Sequence, residues 1–114
     1  RDEYAANLST GQKKLLEFSR ALMSEPWLVL LDEPAAGVNP SLMNELADHI
    51  VRAVNDLGVT FLVIEHDMNL VMRLCDPIIV MSDGVTIAEG SPESIQQDPK
   101  VLEAYLGYGR NERT

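Results

Sequence analysis

Leu28-Val29-Leu30-Leu31-Asp32-Glu33-Pro34 is a short, continuous apolar run that ends abruptly in two carboxylates. A run of this kind is typical of a strand that is buried on both faces, as in a parallel sheet. We therefore predict a strand over residues 28–31, with Asp32 and Glu33 at its carboxyl end. That end matters because the ligands of open α/β sheets collect where the strands end.

Helices are predicted on both sides of this strand. Before it, Ser9-Thr10-Gly11-Gln12 has the form of a helix capping box, and apolar residues recur at helical spacing as far as 23–24. After it, Asn39 is a candidate cap, Pro40 suits the first helical position and Gly58 is a natural stop. The apolar stripe predicted for this second helix consists of Met43, Leu46, Ala47, Ile50, Val54 and Leu57.

The rest of the chain continues the alternation of strands and helices. The predicted elements are a strand over 59–64, a short helix capped by Asp67, a strand over 77–81, a turn at 82–84, a hairpin partner over 85–89, a short helix from Ser91, another near 101–106 and a polar tail from Gly107. We therefore predict an α/β fold, with mostly parallel strands flanked by helices and with a C-terminal hairpin and short helices.

Composition narrows the class of protein. The chain has 114 residues, of which 46% are hydrophobic, and a net charge of −9, so a nucleic-acid binder, which usually shows a basic face, is disfavoured. Cys75 is the only cysteine, which leaves no disulfide within the chain. No apolar run approaches the ~20 residues that span a bilayer. The polar start at Arg1 shows no signal peptide, and we expect that the sequence begins inside a larger domain.

Two of the predicted strands end in charged residues, the first in Asp32-Glu33 and the second in Glu65-His66. If the strands are parallel neighbours, these four groups lie at one edge of the sheet. Asp32 suits Mg²⁺, which keeps several waters and is held through them, and Glu33 suits a general base for an attacking water. The alternative is an acidic pair that only faces solvent.

His66 and the segment before the first helix are the other candidates. An imidazole at this edge could hydrogen-bond a γ-phosphate oxygen and hold the attacking water, although a lone strand-end His is more often an ordinary polar residue. At Ser9-Thr10-Gly11-Gln12, the free N–H groups of a helix start favour an anion, Gly11 permits close approach of a phosphate and Ser9 adds a hydroxyl donor. Taken alone, this segment is better explained as a plain helix cap.

Together these residues resemble the ABC ATPase family. Leu8-Ser9-Thr10-Gly11-Gln12 is similar to the family's signature loop, residues 28–33 to its Walker B strand with the catalytic Glu, Ala36-Gly37-Val38-Asn39 to its D-loop and His66 to its switch histidine. The order and the contexts of these four motifs agree over roughly residues 7–90, which is far more specific than any one motif. Thr10 stands where the family usually has Gly, and Asn39 where it has Asp.

The resemblance implies two ATPase subunits that pair head to tail around ATP and Mg²⁺. Glu33 would orient the water, Asp32 would hold the magnesium and His66 would contact the γ-phosphate, all on ATP of their own subunit. Ser9-Thr10-Gly11-Gln12, together with Asn39 of the D-loop, would act across the dimer.

The subfamily is also implied by resemblance. Residues 33–40 and the tail from Glu89 to Gly107 are similar to those of branched-chain amino acid importers. This implies permease subunits in the membrane as partners, no nucleic acid, and a peripheral position on the cytoplasmic face of the inner membrane. A urea or amide importer of the same subfamily would look nearly alike.

The chain contains no G-x-x-x-x-G-K-[ST], so the loop that cradles the β- and γ-phosphates is expected upstream of this sequence. We expect residues 1–114 to be the C-terminal portion of an ABC ATPase domain, with the signature helix over 8–24, the core from the Walker B strand to the switch histidine over 25–82, the hairpin and helices over 83–107 and a polar tail over 108–114. Alone, it is expected to be inactive and to self-associate through exposed apolar faces and sheet edges.

Two other functions stay open at this stage. One is an ABC ATPase outside transport that acts on nucleic acid or ribosomes, which the acidic charge disfavours. The other is a non-enzymatic interaction module, which would require broken catalytic positions, whereas Glu33 and His66 are intact.

Overall fold

The computed structural model describes the backbone of residues 10–112 and the side chains of residues 10–105. Ser9, which is predicted to cap the first helix and to bind phosphate, lies outside the described residues. The chain divides into two compact units, residues 1–74 and residues 75–114. In the described part, no helix is both long enough and apolar enough to cross a membrane.

The first unit alternates three helices with two strands. Its elements are α1 (Thr10–Met23), β1 (Leu28–Asp32), α2 (Pro40–Leu57), β2 (Thr60–Ile64) and α3 (Met68–Leu74). The type and the order of these elements confirm the sequence prediction.

Local caps fix the boundaries of the helices. The Asn39 Oδ1 accepts the backbone N–H of Leu42 at 2.9 Å and caps α2. Such a cap contributes about 1 kcal/mol. Gly58 ends α2 in the left-handed conformation, at φ 67°, where a side chain would be strained. The Asp67 Oδ1 accepts two backbone N–H groups of the first turn of α3. All three caps are confirmed as predicted.

β1 and β2 pair in parallel, with α2 as the connection between them. Leu28 lies opposite Thr60 and Asp32 lies opposite Ile64, so the register is even along both strands. The carboxyl ends of the two strands are therefore level with each other at one edge.

α1 and α2 contribute the core that lies on one face of this strand pair. Phe18, Leu46 and Ile50 are buried there, and the partly buried apolar residues packed against them are Leu15, Leu22, Leu31, Met43, Phe61 and Leu74. The rings of Phe18 and Phe61 stack, with centroids 5.8 Å apart and planes 18° from parallel. Burying one side chain of this size contributes about 1.5–3 kcal/mol. The predicted apolar stripes hold for the central turns of both helices.

The other face of the strand pair is open among the described residues. Leu30, Leu62 and Ile64 are 67%, 55% and 60% exposed. The prediction that β1 is buried on both faces is therefore wrong for this chain, because the described helices lie against the opposite face. The last turn of α2 also differs from the prediction, since Val54 and Leu57 extend past the core and are exposed.

The second unit is a hairpin followed by two helices. β3 (Ile78–Ser82) and β4 (Val85–Gly90) pair antiparallel, and α4 (Pro92–Gln97) and α5 (Pro99–Glu112) follow. Asp83 and Gly84 form the two-residue turn with φ of 50° and 77°, which is the conformation that an Asp-Gly hairpin favours. The buried apolar residues of this unit are Ile78, Val80, Ile95 and Val101. The hairpin is confirmed as predicted.

The α/β class is confirmed, although the described strands are divided evenly between one parallel pair and one antiparallel pair. α5 is longer than predicted, because it continues to Glu112 where the sequence predicts a polar tail from Gly107. Once a helix has formed, each further residue gains a hydrogen bond at little cost, and no proline follows to stop it.

Candidate functional site

The candidate site lies where β1 and β2 end. Asp32 and Ile64 are the last residues of the two strands and lie opposite each other, so Glu33 and the pair Glu65-His66 follow at the same edge. The Glu33 N–H donates to the Ile64 carbonyl at 2.7 Å, which extends the ladder one residue beyond β1. The prediction that the four charged residues share one edge is confirmed.

Glu33 and His66 are in direct contact. The distance from Glu33 Oε1 to His66 Nδ1 is 3.2 Å, and the two side chains remain 52% and 75% exposed, respectively. Because a carboxylate without its proton can only accept hydrogen bonds, Nδ1 is the donor in this pair. The ring nitrogen that remains for a water or a substrate is therefore Nε2.

The backbone of Glu33 is left-handed, with φ 48°. A residue with a side chain in this conformation costs about 1–2 kcal/mol, and such strain persists only where the surroundings hold it, often at functional sites. Here the Glu33 carbonyl accepts the Ala36 N–H at 3.1 Å, which closes a turn directly after β1. The chain thus leaves the sheet at the residue that is predicted to be catalytic.

Lys14, a residue that sequence reasoning misses, binds this turn from α1. Its Nζ donates to the carbonyl oxygens of Glu33 and Pro34, at 3.5 and 3.4 Å, and to that of Ala36. It therefore ties the start of α1 to the loop after β1. The sequence offers one weak signal for it: Lys14 follows Gly11 by three residues, so the two share a face of the helix.

Glu65 is the second residue whose role sequence reasoning misses. Its side chain has 0% exposed surface. Oε2 accepts the Ala35 N–H at 3.0 Å, and Oε1 accepts the N–H groups of His66 and Asp67 at 3.0 and 3.3 Å. Glu65 therefore joins the loop after β1 to the loop after β2. In the sequence it is only one more charged residue at a strand end.

The described part of the signature segment (residues 8–12) lies beside the loop after β1. A Cβ placed on Gly37, at φ 71°, would lie 3.5 Å from the Thr10 methyl group. Gly11 is buried, and a Cβ there would lie 2.5 Å from Leu42 Cδ1 in α2. Packing of α1 on α2 thus gives a reason for this glycine besides the approach of a phosphate. Gln12 is exposed next to it.

Asp32 and Asn39 lie at the two ends of the loop after β1. Asp32 is exposed, and a single carboxylate fits Mg²⁺, which keeps waters and takes other ligands from substrate phosphates. Within the described residues, no three Asp, Glu, His or Cys side chains cluster as a complete metal site. Asn39 uses its Oδ1 to cap α2, and its role toward a nucleotide stays a prediction, as do the roles of the signature segment.

Two protein families match separate parts of the chain. The one described as ABC transporter matches residues 1–36, which contain the signature segment, β1 and Glu33. The one described as branched-chain amino acid ATP-binding cassette transporter matches residues 85–110, which contain β4 and α4.

Relatives of known name are also described as branched-chain amino acid transport proteins. The probable branched-chain amino acid transport ATP-binding protein LivG of Archaeoglobus fulgidus is 47% identical over 106 residues, which are 93% of this chain and 41% of that protein. The high-affinity branched-chain amino acid transport ATP-binding protein BraF of Pseudomonas aeruginosa is 45% identical over 103 residues, 90% of this chain and 40% of that protein. The chain therefore spans about two-fifths of the length of these relatives.

The fold is similar to that of solved ATP-binding cassettes. The crystal structure of one such cassette of an ABC transporter, in its ADP conformation, has a TM-score of 0.76 and 43% sequence identity over 89% of this chain and 41% of its own. Motif order, family matches and fold thus agree with the expected resemblance. The chain is therefore similar to part of an ABC transporter ATP-binding cassette, and most like those of branched-chain amino acid transport ATP-binding proteins.

Proposed function

We propose that the protein that contains this chain is the ATP-hydrolysing subunit of an ABC importer for branched-chain amino acids or similar small solutes. The observation that carries the proposal is the 3.2 Å contact between Glu33 and His66 at the edge where β1 and β2 end. A carboxylate and an imidazole held together at a strand end suit water activation beside a phosphate. The identities with LivG and BraF, 47% and 45%, support the class of solute.

In this proposal Glu33 is the general base. Its half-exposed carboxylate can accept a proton from an attacking water, while the Nδ1–H of His66 holds that carboxylate in place. The Nε2 side of His66 serves the γ-phosphate or the attacking water. Asp32 would hold Mg²⁺ through water, and the metal would neutralise charge on the phosphates.

A second copy of the subunit completes each ATP site. Ser9-Thr10-Gly11-Gln12 acts on the ATP of the partner, and Asn39 lies in the loop that meets the partner. The Thr10 methyl and Gly37 are neighbours in this chain, which supports one common surface for the signature segment and the D-loop. Permease subunits in the inner membrane bind this pair of ATPase subunits at the cytoplasmic face of the membrane.

The 114-residue chain alone is proposed to hydrolyse almost no ATP, because its sequence contains no phosphate-cradling G-x-x-x-x-G-K-[ST] motif. This part of the proposal would be contradicted if the isolated chain hydrolysed Mg-ATP and Glu33→Gln abolished that hydrolysis.

The central test is Mg-ATP hydrolysis by the full-length protein and its Glu33→Gln variant. We expect turnover to fall about 10²- to 10⁴-fold, since this is what a general base contributes, while the Kd for ATP stays unchanged because an amide keeps the shape of the side chain. Glu45→Gln, the same change at an exposed position of α2, is the matched control. Unchanged turnover, or loss of ATP binding, would refute the role of Glu33.

The class of solute is tested separately, in vesicles that contain the protein with its permease subunits. We expect leucine, isoleucine or valine to enter in an ATP-dependent manner. ATP-driven uptake of urea or a short amide, without uptake of these amino acids, would refute the choice of solute.

A further inference from the structure

We propose that Glu65 is a positioning residue that holds Glu33 and His66 in register by binding the loops after β1 and β2 to each other. The inference rests on the proposed function of Glu33 and His66 and adds a third residue to their site.

The hydrogen bonds of Glu65 reach both loops at once. One carboxylate oxygen accepts the N–H of Ala35, two residues after Glu33, at 3.0 Å. The other accepts the N–H groups of His66 and Asp67 at 3.0 and 3.3 Å. A single side chain thus links the backbone next to each of the two predicted catalytic residues.

The burial of Glu65 makes these bonds matter. Its side chain has 0% exposed surface, so the carboxylate is satisfied by these protein N–H groups and not by water, and its loss removes the acceptor of all three. Removal of the carboxylate would therefore release donors on both loops and allow the loops to separate.

Glu33 and His66 depend on such anchors because their own side chains are 52% and 75% exposed, respectively. Packing around them is thin, so their mutual position follows from the backbone that carries them. Glu65 Oε1 also lies 3.7 Å from His66 Nδ1, the nitrogen that donates to Glu33. The negative charge of this second carboxylate, although beyond hydrogen-bond distance, favours the tautomer that carries its proton on Nδ1.

The test compares the full-length ATPase with its Glu65→Gln variant. Gln matches Glu in size, but its NH₂ group cannot accept, so at least one of the three N–H groups loses its partner. We expect kcat for Mg-ATP to fall roughly 10- to 100-fold, as small displacements of reacting groups do, with the Kd for ATP unchanged. Glu45→Gln is again the matched control and is expected to leave kcat unchanged.

A purely structural role is separated by repeating Glu65→Gln in a His66→Ala background, with single-turnover assays that detect slow residual hydrolysis. If Glu65 acts through His66, Glu65→Gln lowers the rate much less in the His66→Ala background than in the wild type. Equal fold-losses in both backgrounds, an unchanged kcat or a Glu65→Gln protein that fails to fold would each overturn the inference. Absence of hydrolysis in the wild type would instead refute the proposed function, and the inference with it.

Discussion

Replacement of Gly11 by Ala tests whether the packing of α1 on α2 requires the glycine. An added Cβ would lie 2.5 Å from Leu42 Cδ1, whereas carbon atoms in contact prefer about 3.5–4.0 Å. The methyl group must therefore move by about 1 Å. Because it is the far end of a flexible, half-buried side chain, we expect a loss of about 1 kcal/mol of unfolding free energy, the lower end of the overpacking range.

The assay is thermal and urea unfolding of the full-length protein. A loss of 1 kcal/mol lowers Tm by about 2–4 °C in a domain of about 150–250 residues. Leu42→Ala removes the obstructing methyl group, so adding Gly11→Ala to it should cost almost nothing further. The two substitutions then couple by about 1 kcal/mol. Strictly additive losses, or a Gly11→Ala protein as stable as the wild type, would refute this packing argument.

Hydrolysis by the same variants separates packing from phosphate approach. If Gly11 serves packing alone, the double variant turns over Mg-ATP as fast as Leu42→Ala does. If a phosphate must also approach Gly11, the double variant stays slow although its stability equals that of Leu42→Ala.

Three further predictions follow from contacts and exposures elsewhere in the chain. Lys14→Met in the full-length protein lowers kcat for Mg-ATP about 10-fold, because the loop after β1 loses the donor to its carbonyl groups. Lys13→Met, at the exposed neighbouring position, is the matched control, and equal kcat values for the two variants would contradict the prediction. The isolated 114-residue chain self-associates through the open face of β1 and β2, so light scattering detects species larger than a monomer and Leu30→Lys with Leu62→Lys reduces them, whereas a sharp monomer at high concentration would count against it. Burial raises the pKa of the Cys75 thiol, so less thiolate exists at pH 7 and iodoacetamide reacts with Cys75 more slowly than with a short cysteine peptide. The two rates converge as the pH rises through the raised pKa. Equal rates at pH 7 would show that the thiol is not shielded.

The parts of the fold that could be predicted are those with local signals. Asn39, Gly58 and Asp67 act on backbone groups within a few residues of themselves, so their roles are legible in the sequence. The common edge of Asp32-Glu33 and Glu65-His66 could be predicted because it needs only two parallel strands and the points where they end.

The contacts that could not be predicted connect distant residues. Lys14 binds carbonyl groups 19 to 22 positions away, and Glu65 accepts from an N–H 30 positions away. The Lys14 contact has only a weak local signal and the Glu65 contact has none, because each depends on how α1, β1 and β2 are placed in space. The exposure of Leu30 and Leu62 is of the same kind, because an apolar run predicts what a strand can bury and does not show what covers it.

The position of Glu33 and His66, the proposed catalytic pair, follows from polar anchors on the backbone more than from side-chain packing. Glu33 has a strained φ of 48° and a half-exposed carboxylate, so its geometry persists only if the backbone on both sides is held. Its N–H is bound to the Ile64 carbonyl, its own carbonyl to Lys14, and the N–H two residues on to Glu65. These three bonds come from β2, from α1 and from the loop that carries His66, so any one of these elements can shift the carboxylate without contacting a nucleotide. If Glu33 is the general base as proposed, substitutions at the anchors should therefore lower kcat before they alter ATP affinity, because they displace its carboxylate and leave the groups that bind ATP in place.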